Sequence, residues 1–197
     1  RDQVGVVDSS RSMVGERYKR ATRLAEAIVR EMDKQDRVTV MACDSSCRTM
    51  PQEKAGPGAA TAARVRDFLA SVEPEGGSDL VGAVREARKA GNGREGRALR
   101  IVYVGDGGAT VGAVRPAHVA QEIARELPEG EGSLTTVAVG SDADSNVLAA
   151  MARGGGGVMI PYVPGERATT VAMQVLGAGY GMALRNPVVE LPEGLSD

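Results

Sequence analysis

One pattern repeats along the chain: a short apolar, β-branched run followed by a longer segment whose apolar residues recur at helical spacing. The runs are Val4-Gly5-Val6-Val7, Arg37-Val38-Thr39-Val40-Met41-Ala42-Cys43, Leu99-Arg100-Ile101-Val102-Tyr103-Val104 and Leu134-Thr135-Thr136-Val137-Ala138-Val139. Each is strand-length and apolar on successive residues, as expected of a strand covered on both faces. Between them, residues 16–32 place Ala21, Leu24, Ala25, Ile28, Val29 and Met32 on one helical stripe. Residues 61–72, 80–90 and 116–127 read as further helices. A short helix over 145–152, a strand over 158–162 and a helix over 167–176 close the series, and residues 48–51 suggest a short edge strand before the break at Gly56-Pro57-Gly58. Such alternation predicts an α/β fold: a doubly wound, mainly parallel central sheet with helices on both faces.

At 197 residues the chain suits one domain. We place it at 1–181 and read 182–197, with its strand-like Val188-Val189-Glu190-Leu191, as the start of a following segment. The chain opens on Arg1 and ends without a closing element, which reads as a piece of a longer protein. No run is long enough to span a membrane and no signal peptide is visible. The expected compartment leans to extracytoplasmic or cell-surface.

Composition removes several functions. A net charge of -2 gives no electrostatic reason to expect nucleic acid or an anionic membrane, and 3% aromatic residues leave little for stacking on bases or sugars. The core must come from Val, Ala, Leu, Ile and Met, and we assign Met32 and Met173 to it as fillers. His118, the only histidine, sits in a helix without matched acid and base partners and reads as a surface or partly buried helix residue. Cys43 and Cys47 would suit a small disulfide outside the cytoplasm, but we read them as free thiols, with Cys43 in the core. Without a nearby histidine or a second pair they make no zinc site.

The first strand runs into Asp8-Ser9-Ser10-Arg11-Ser12, with oxygen-bearing side chains at Asp8, Ser10 and Ser12. In an open α/β sheet, ligands bind beyond the carboxyl ends of strands. If the 99–104 strand neighbours the first, Asp106 projects beside Asp8, and Ser78 of Gly76-Gly77-Ser78-Asp79 can reach the same rim. Ser78 and Asp79 also stand where helix caps stand. Two carboxylates and three hydroxyls form a hard, oxygen-only set, suited to Mg²⁺ or Mn²⁺ and poorly to Zn²⁺.

Together these pieces resemble the metal-ion-dependent adhesion site of von Willebrand factor type A domains: D-x-S-x-S after strand one, a hydroxyl in Gly-Gly-Ser-Asp, and Asp-Gly after the next central strand. The stretch Asp106-Gly107-Gly108-Ala109-Thr110-Val111-Gly112, followed by Arg115-Pro116, is similar to inter-alpha-trypsin inhibitor heavy chains and their bacterial relatives. The resemblance implies that Ser10, Ser12 and Ser78 hold Mg²⁺ or Mn²⁺ directly or nearly so, with Asp8 and Asp106 acting directly or through water. It further implies that an Asp or Glu carboxylate from a protein partner completes the shell.

Three departures stand out. Ser78 replaces the usual Thr, keeping the hydroxyl. Gly105 replaces a frequent Thr or Ser, which suggests a lost supporting hydroxyl and a looser Asp106. Arg11 replaces a common Gly, putting a cation on the rim that would either attract an acidic ligand or compete with the metal.

The glycines Gly154 to Gly157 precede a strand and lack the Lys-Ser/Thr of a phosphate-binding loop. Phosphoryl transfer through Asp8 would need an acid two residues on, where Ser10 stands, and a lysine partner. The expected function is therefore a protein-binding module without turnover of its own. The alternatives are an intracellular scaffold paired with an ATPase and, further off, a Mg²⁺-dependent phosphohydrolase.

Overall fold

The computed structural model describes residues 1–51, 56–91 and 97–180. Six strands form one sheet: β1 (Asp2–Asp8), β2 (Arg37–Cys43), β3 (Cys47–Thr49), β4 (Leu99–Gly105), β5 (Ser133–Val139) and β6 (Met159–Tyr162). Their spatial order is β3-β2-β1-β4-β5-β6, parallel throughout except for β3, which returns antiparallel beside β2. The doubly wound, mainly parallel sheet is thus as expected. The edge strand at β3 begins one residue earlier than its sequence pattern suggested. The strand-like residues 188–191 and the boundary near 181 lie outside the described residues.

Among the described residues the helices are α1 (Glu16–Glu31), α2 (Ala59–Ala70), α3 (Leu80–Gly91), α4 (Pro116–Glu126), α5 (Ser145–Gly154) and α6 (Ala168–Tyr180), with a 3₁₀ turn at Arg11–Met13. They sort onto the two faces by strand parity, because successive strand side chains point to opposite sides. Val38, Val40, Val102, Val104, Val137 and Val139 meet α1, α2 and α6, while Val4, Val6, Leu99, Ile101, Tyr103 and Leu134 meet α3, α4 and α5. Asp8 shares the parity of Val4 and Val6, so it emerges on the α3 side.

The glycines after α5 serve packing. A Cβ at Gly157 would stand 2.2 Å from the Leu134 carbonyl oxygen and one at Gly155 2.4 Å from Leu134 Cβ, so only bare backbone lets this turn lie against β5. Met173 corrects an expectation. It is 58% exposed on α6, whereas Met32 is buried as expected. The apolar stripe of α6 that meets the sheet is instead Val171, Ala172, Val175 and Leu176.

The cysteines also correct an expectation: Cys43 and Cys47 are joined in a disulfide. The reason is the hairpin, which makes them direct cross-strand partners of β2 and β3. Residues four apart are close in such a turn, although nothing in their spacing alone announces it.

Candidate metal centre

The chain leaves β1 toward β2 on one side and later returns to place β4 on the other. This makes the carboxyl ends of β1 and β4 the switch point of the sheet. Three loops meet there: residues 9–15 after β1, residues 71–79 before α3, and residues 106–115 after β4. All five expected residues come to this rim. Asp8, Ser10, Ser78 and Asp106 are buried and Ser12 is exposed.

Asp8 is the hub. Its Oδ1 accepts the Ser10 N–H at 2.8 Å, which turns the chain away from the strand and aims the two serines. Ser10 Oγ and Ser12 Oγ then lie 3.2 Å apart. Its Oδ2 accepts the Ser78 hydroxyl at 3.4 Å and the Tyr103 hydroxyl at 2.6 Å. Burial drives the Asp8 carboxyl above the usual carboxylate range, against the lowering effect of the Ser10 and Tyr103 hydrogen bonds. The same burial holds the Tyr103 phenol well above its ordinary value, with the Asp8 charge adding to it.

Tyr103 is a member of the site that its sequence setting concealed, since it reads as strand core. It explains Gly105. A Cβ on Gly105 would stand 2.7 Å from Asp8 Cβ and 2.8 Å from Tyr103 Cε1. The missing side chain makes room for the tyrosine ring, and the tyrosine supplies a hydroxyl to Asp8. The hydroxyl that seemed lost at Gly105 therefore has a counterpart, directed at Asp8.

Asp106 is held separately. Its Oδ1 accepts the Gly108 N–H at 2.9 Å and its backbone carbonyl accepts the Asp144 N–H at 2.7 Å. Ser78 is fixed through its backbone. Its N–H donates to Thr110 Oγ1 at 2.8 Å, and its carbonyl accepts the N–H groups of Thr110 and Val111. It does not cap α3; Asp79 does, accepting the Gly82 N–H at 2.9 Å.

Sequence reasoning also missed Arg17. Its Nη1 donates to Asp106 Oδ2 at 2.7 Å and its Nη2 to both carboxylate oxygens of Asp142 at 2.6 Å. The cation that meets the site is thus Arg17. Arg11 is exposed and forms no ion pair among the described residues. A charged residue in the first turn of an amphipathic helix looks like solvated surface, and only the placement of α1 against the end of β4 distinguishes it.

These residues fit a hard divalent ion. Asp106 and Ser12 approach each other at Gly108: a Cβ there would lie 3.1 Å from Asp106 Oδ1 and 3.5 Å from Ser12 Oγ, so oxygens from two loops meet beside bare backbone. Among the described residues no three His, Cys, Asp or Glu side chains gather. A cation here must therefore use hydroxyls beside the two carboxylates, a donor set suited to Mg²⁺ or Mn²⁺.

The family profile described as von Willebrand factor type A domain matches residues 2–159. The chain belongs to that family. Among solved structures, the A domain is similar to an aerotolerance-related membrane protein from Bacteroides fragilis, solved with multiple mutations to serines. The TM-score is 0.74 and the identity 16%, covering 90% of this chain and 97% of that one. BatB from Bacteroides thetaiotaomicron gives 0.70 at 16% identity, covering 89% and 97%. The manganese-loaded TRAP protein of Plasmodium vivax gives 0.65 at 12% identity, covering 89% and 72%. At such identities the likeness is one of fold. A domains commonly mediate protein interaction or adhesion.

Proposed function

We propose that this A domain is a divalent-cation-dependent protein-binding module without turnover of its own. Ser10, Ser12 and Ser78 would hold Mg²⁺ or Mn²⁺, Asp8 and Asp106 would support it directly or through water, and a partner's Asp or Glu carboxylate would complete the shell. The observation that carries the reading is the convergence of Asp8, Ser10, Ser12, Ser78 and Asp106 on the switch point from the end of β1 and three loops, with Asp106 and Ser12 meeting beside Gly108. The chemistry the ion supplies is attraction for one external carboxylate.

The partners of these hydroxyls and the place of the only histidine bear on the choice of binding over catalysis. The serine hydroxyls pair with each other and with Asp8, and His118 is 61% exposed on α4. The disulfide favours an extracytoplasmic setting, where such bonds persist. The similar Bacteroides fragilis protein is a membrane protein, which agrees with that setting. No helix among the described residues is long and apolar enough to cross a membrane.

Thermal unfolding in EDTA, Mg²⁺, Mn²⁺ and Ca²⁺, on wild type beside Asp8→Ala, tests the site. An ion at one hundred times its Kd adds about 2.7 kcal/mol to stability, a shift of a few degrees. A shift with Mg²⁺ or Mn²⁺ that vanishes in the variant is expected. No shift at millimolar metal, or one that survives in Asp8→Ala, overturns the assignment.

A further inference from the structure

Among the described residues, Arg17 is the only cation that forms an ion pair with a member of the proposed site. Its fork is divided between two carboxylates with different roles. Nη1 serves Asp106 and also donates to the Ser12 carbonyl at 3.1 Å, so one nitrogen bridges two of the loops that form the site. Nη2 serves Asp142, which is 71% exposed on the loop after β5 and belongs to none of the five site positions.

The seat is shaped for this arrangement. Gly140 has φ +103°, which favours glycine, and a Cβ there would lie 3.1 Å from Asp142 Oδ1 and 3.4 Å from Arg17 Nε. The Arg17 side chain is half-buried, with 23% of its surface exposed. What holds it is charge: a planar fork matched to carboxylate oxygens.

A guanidinium and a divalent ion drawn to one buried carboxylate repel each other at a separation of a few ångströms. Whichever holds Asp106 disfavours the other. A displaced Arg17 would still have a partner, because its second nitrogen is already paired with a carboxylate outside the site.

We propose that Arg17 sets the affinity of the site for its cation: it occupies Asp106 Oδ2 in the metal-free protein, yields that oxygen when a divalent ion enters, and stays anchored to Asp142. This rests on the cation-binding reading given above. It adds a built-in competitor, so the metal-free site carries its own counter-charge and weak ions fail to displace it.

Arginine side-chain ¹⁵N NMR of the wild-type protein, titrated with Mg²⁺ alone, tests the exchange without any variant. The Arg17 signals should move saturably while those of Arg85, paired with Glu126 on the α3–α4 surface, stay in place. Arg17 signals that remain fixed while Mg²⁺ binds overturn the proposal. In parallel, calorimetric titration with Mn²⁺ compares wild type with Arg17→Gln, which keeps hydrogen bonding and removes the charge. Binding about tenfold tighter in the variant is expected, a coupling of ordinary size. Equal or weaker binding overturns the competitor role and leaves the metal site standing. If neither protein binds Mn²⁺ or Mg²⁺, both readings fall.

Discussion

The Tyr103 hydroxyl donates to Asp8 Oδ2 across 2.6 Å, from a strand neighbour whose ring is buried on the side of the sheet covered by α3, α4 and α5. It is the shortest side-chain bond to the central carboxylate, and Ser78 reaches the same oxygen at 3.4 Å. Tyr103→Phe removes that donor and leaves a buried carboxylate oxygen with the longer bond alone. We expect the metal-free variant to lose about 1.5–3 kcal/mol, because a buried charged acceptor is left poorly satisfied. Urea unfolding in metal-free buffer measures it, and a loss under about 0.5 kcal/mol would mean the hydroxyl contributes little.

Gly105 is coupled to that arrangement by space. Gly105→Ala places a methyl against Asp8 Cβ and the Tyr103 ring edge, both under 3 Å from the new atom. Overpacking of this kind costs about 1–3 kcal/mol. The midpoint of denaturant unfolding should fall accordingly, with a further loss of Mg²⁺-dependent stabilisation as Asp8 is pushed aside. A neutral result would show that the strand ends relax freely.

The disulfide closes a loop of only a few residues, so its effect should be modest. For so short a loop, chain-entropy reasoning gives about 2 kcal/mol. The melting temperature measured with and without a thiol reductant should differ by several degrees, and Cys47→Ser should reproduce the reduced protein. Equal melting temperatures would show that the hairpin stands without the bond.

Asp8 also gives the metal-free protein a pH signature. Its folded carboxyl titrates above the ordinary 3.8, chiefly through burial. Between 3.8 and that raised value the folded state binds more protons than the unfolded state, so stability falls as pH rises through the window. Asp8→Asn cannot titrate and lacks this slope. Wild type should therefore compare best with Asp8→Asn at the acid end and lose ground as pH rises, in thermal melts without metal. A difference that is flat, or in which wild type gains on Asp8→Asn toward neutral pH, would contradict the burial argument.

Most of the sheet was legible because β1, β2, β4 and β5 are apolar on successive residues, a pattern that double burial produces. That the five oxygen-bearing residues lie at one edge was legible because each ends or follows a strand, or precedes a helix, there. What the sequence hid was pairing across space. Tyr103 carries an apolar body in a strand, so its hydroxyl gave no sign of Asp8. Arg17 stands among other charged residues of α1, and nothing in that helix indicates that one of them turns toward β4. Cys43 and Cys47 needed the hairpin register before their proximity had meaning. Met173 misled because α6 is apolar beyond the stripe that meets the sheet, leaving the methionine facing solvent.

Ser78 is clasped through both its N–H and its carbonyl by Thr110 and Val111, so the segment that follows Asp106 and the segment that presents the third hydroxyl are sewn together. Thr110 Oγ1 and Val111 Cγ2 also press on Gly77, at 2.7 Å and 2.9 Å from where a Cβ would be, so no slack lies behind the seam. The geometry of the oxygen cluster is thereby tied to a surface strip carrying exposed Val111 and Val114. A displacement of that strip would therefore carry Ser78 with it.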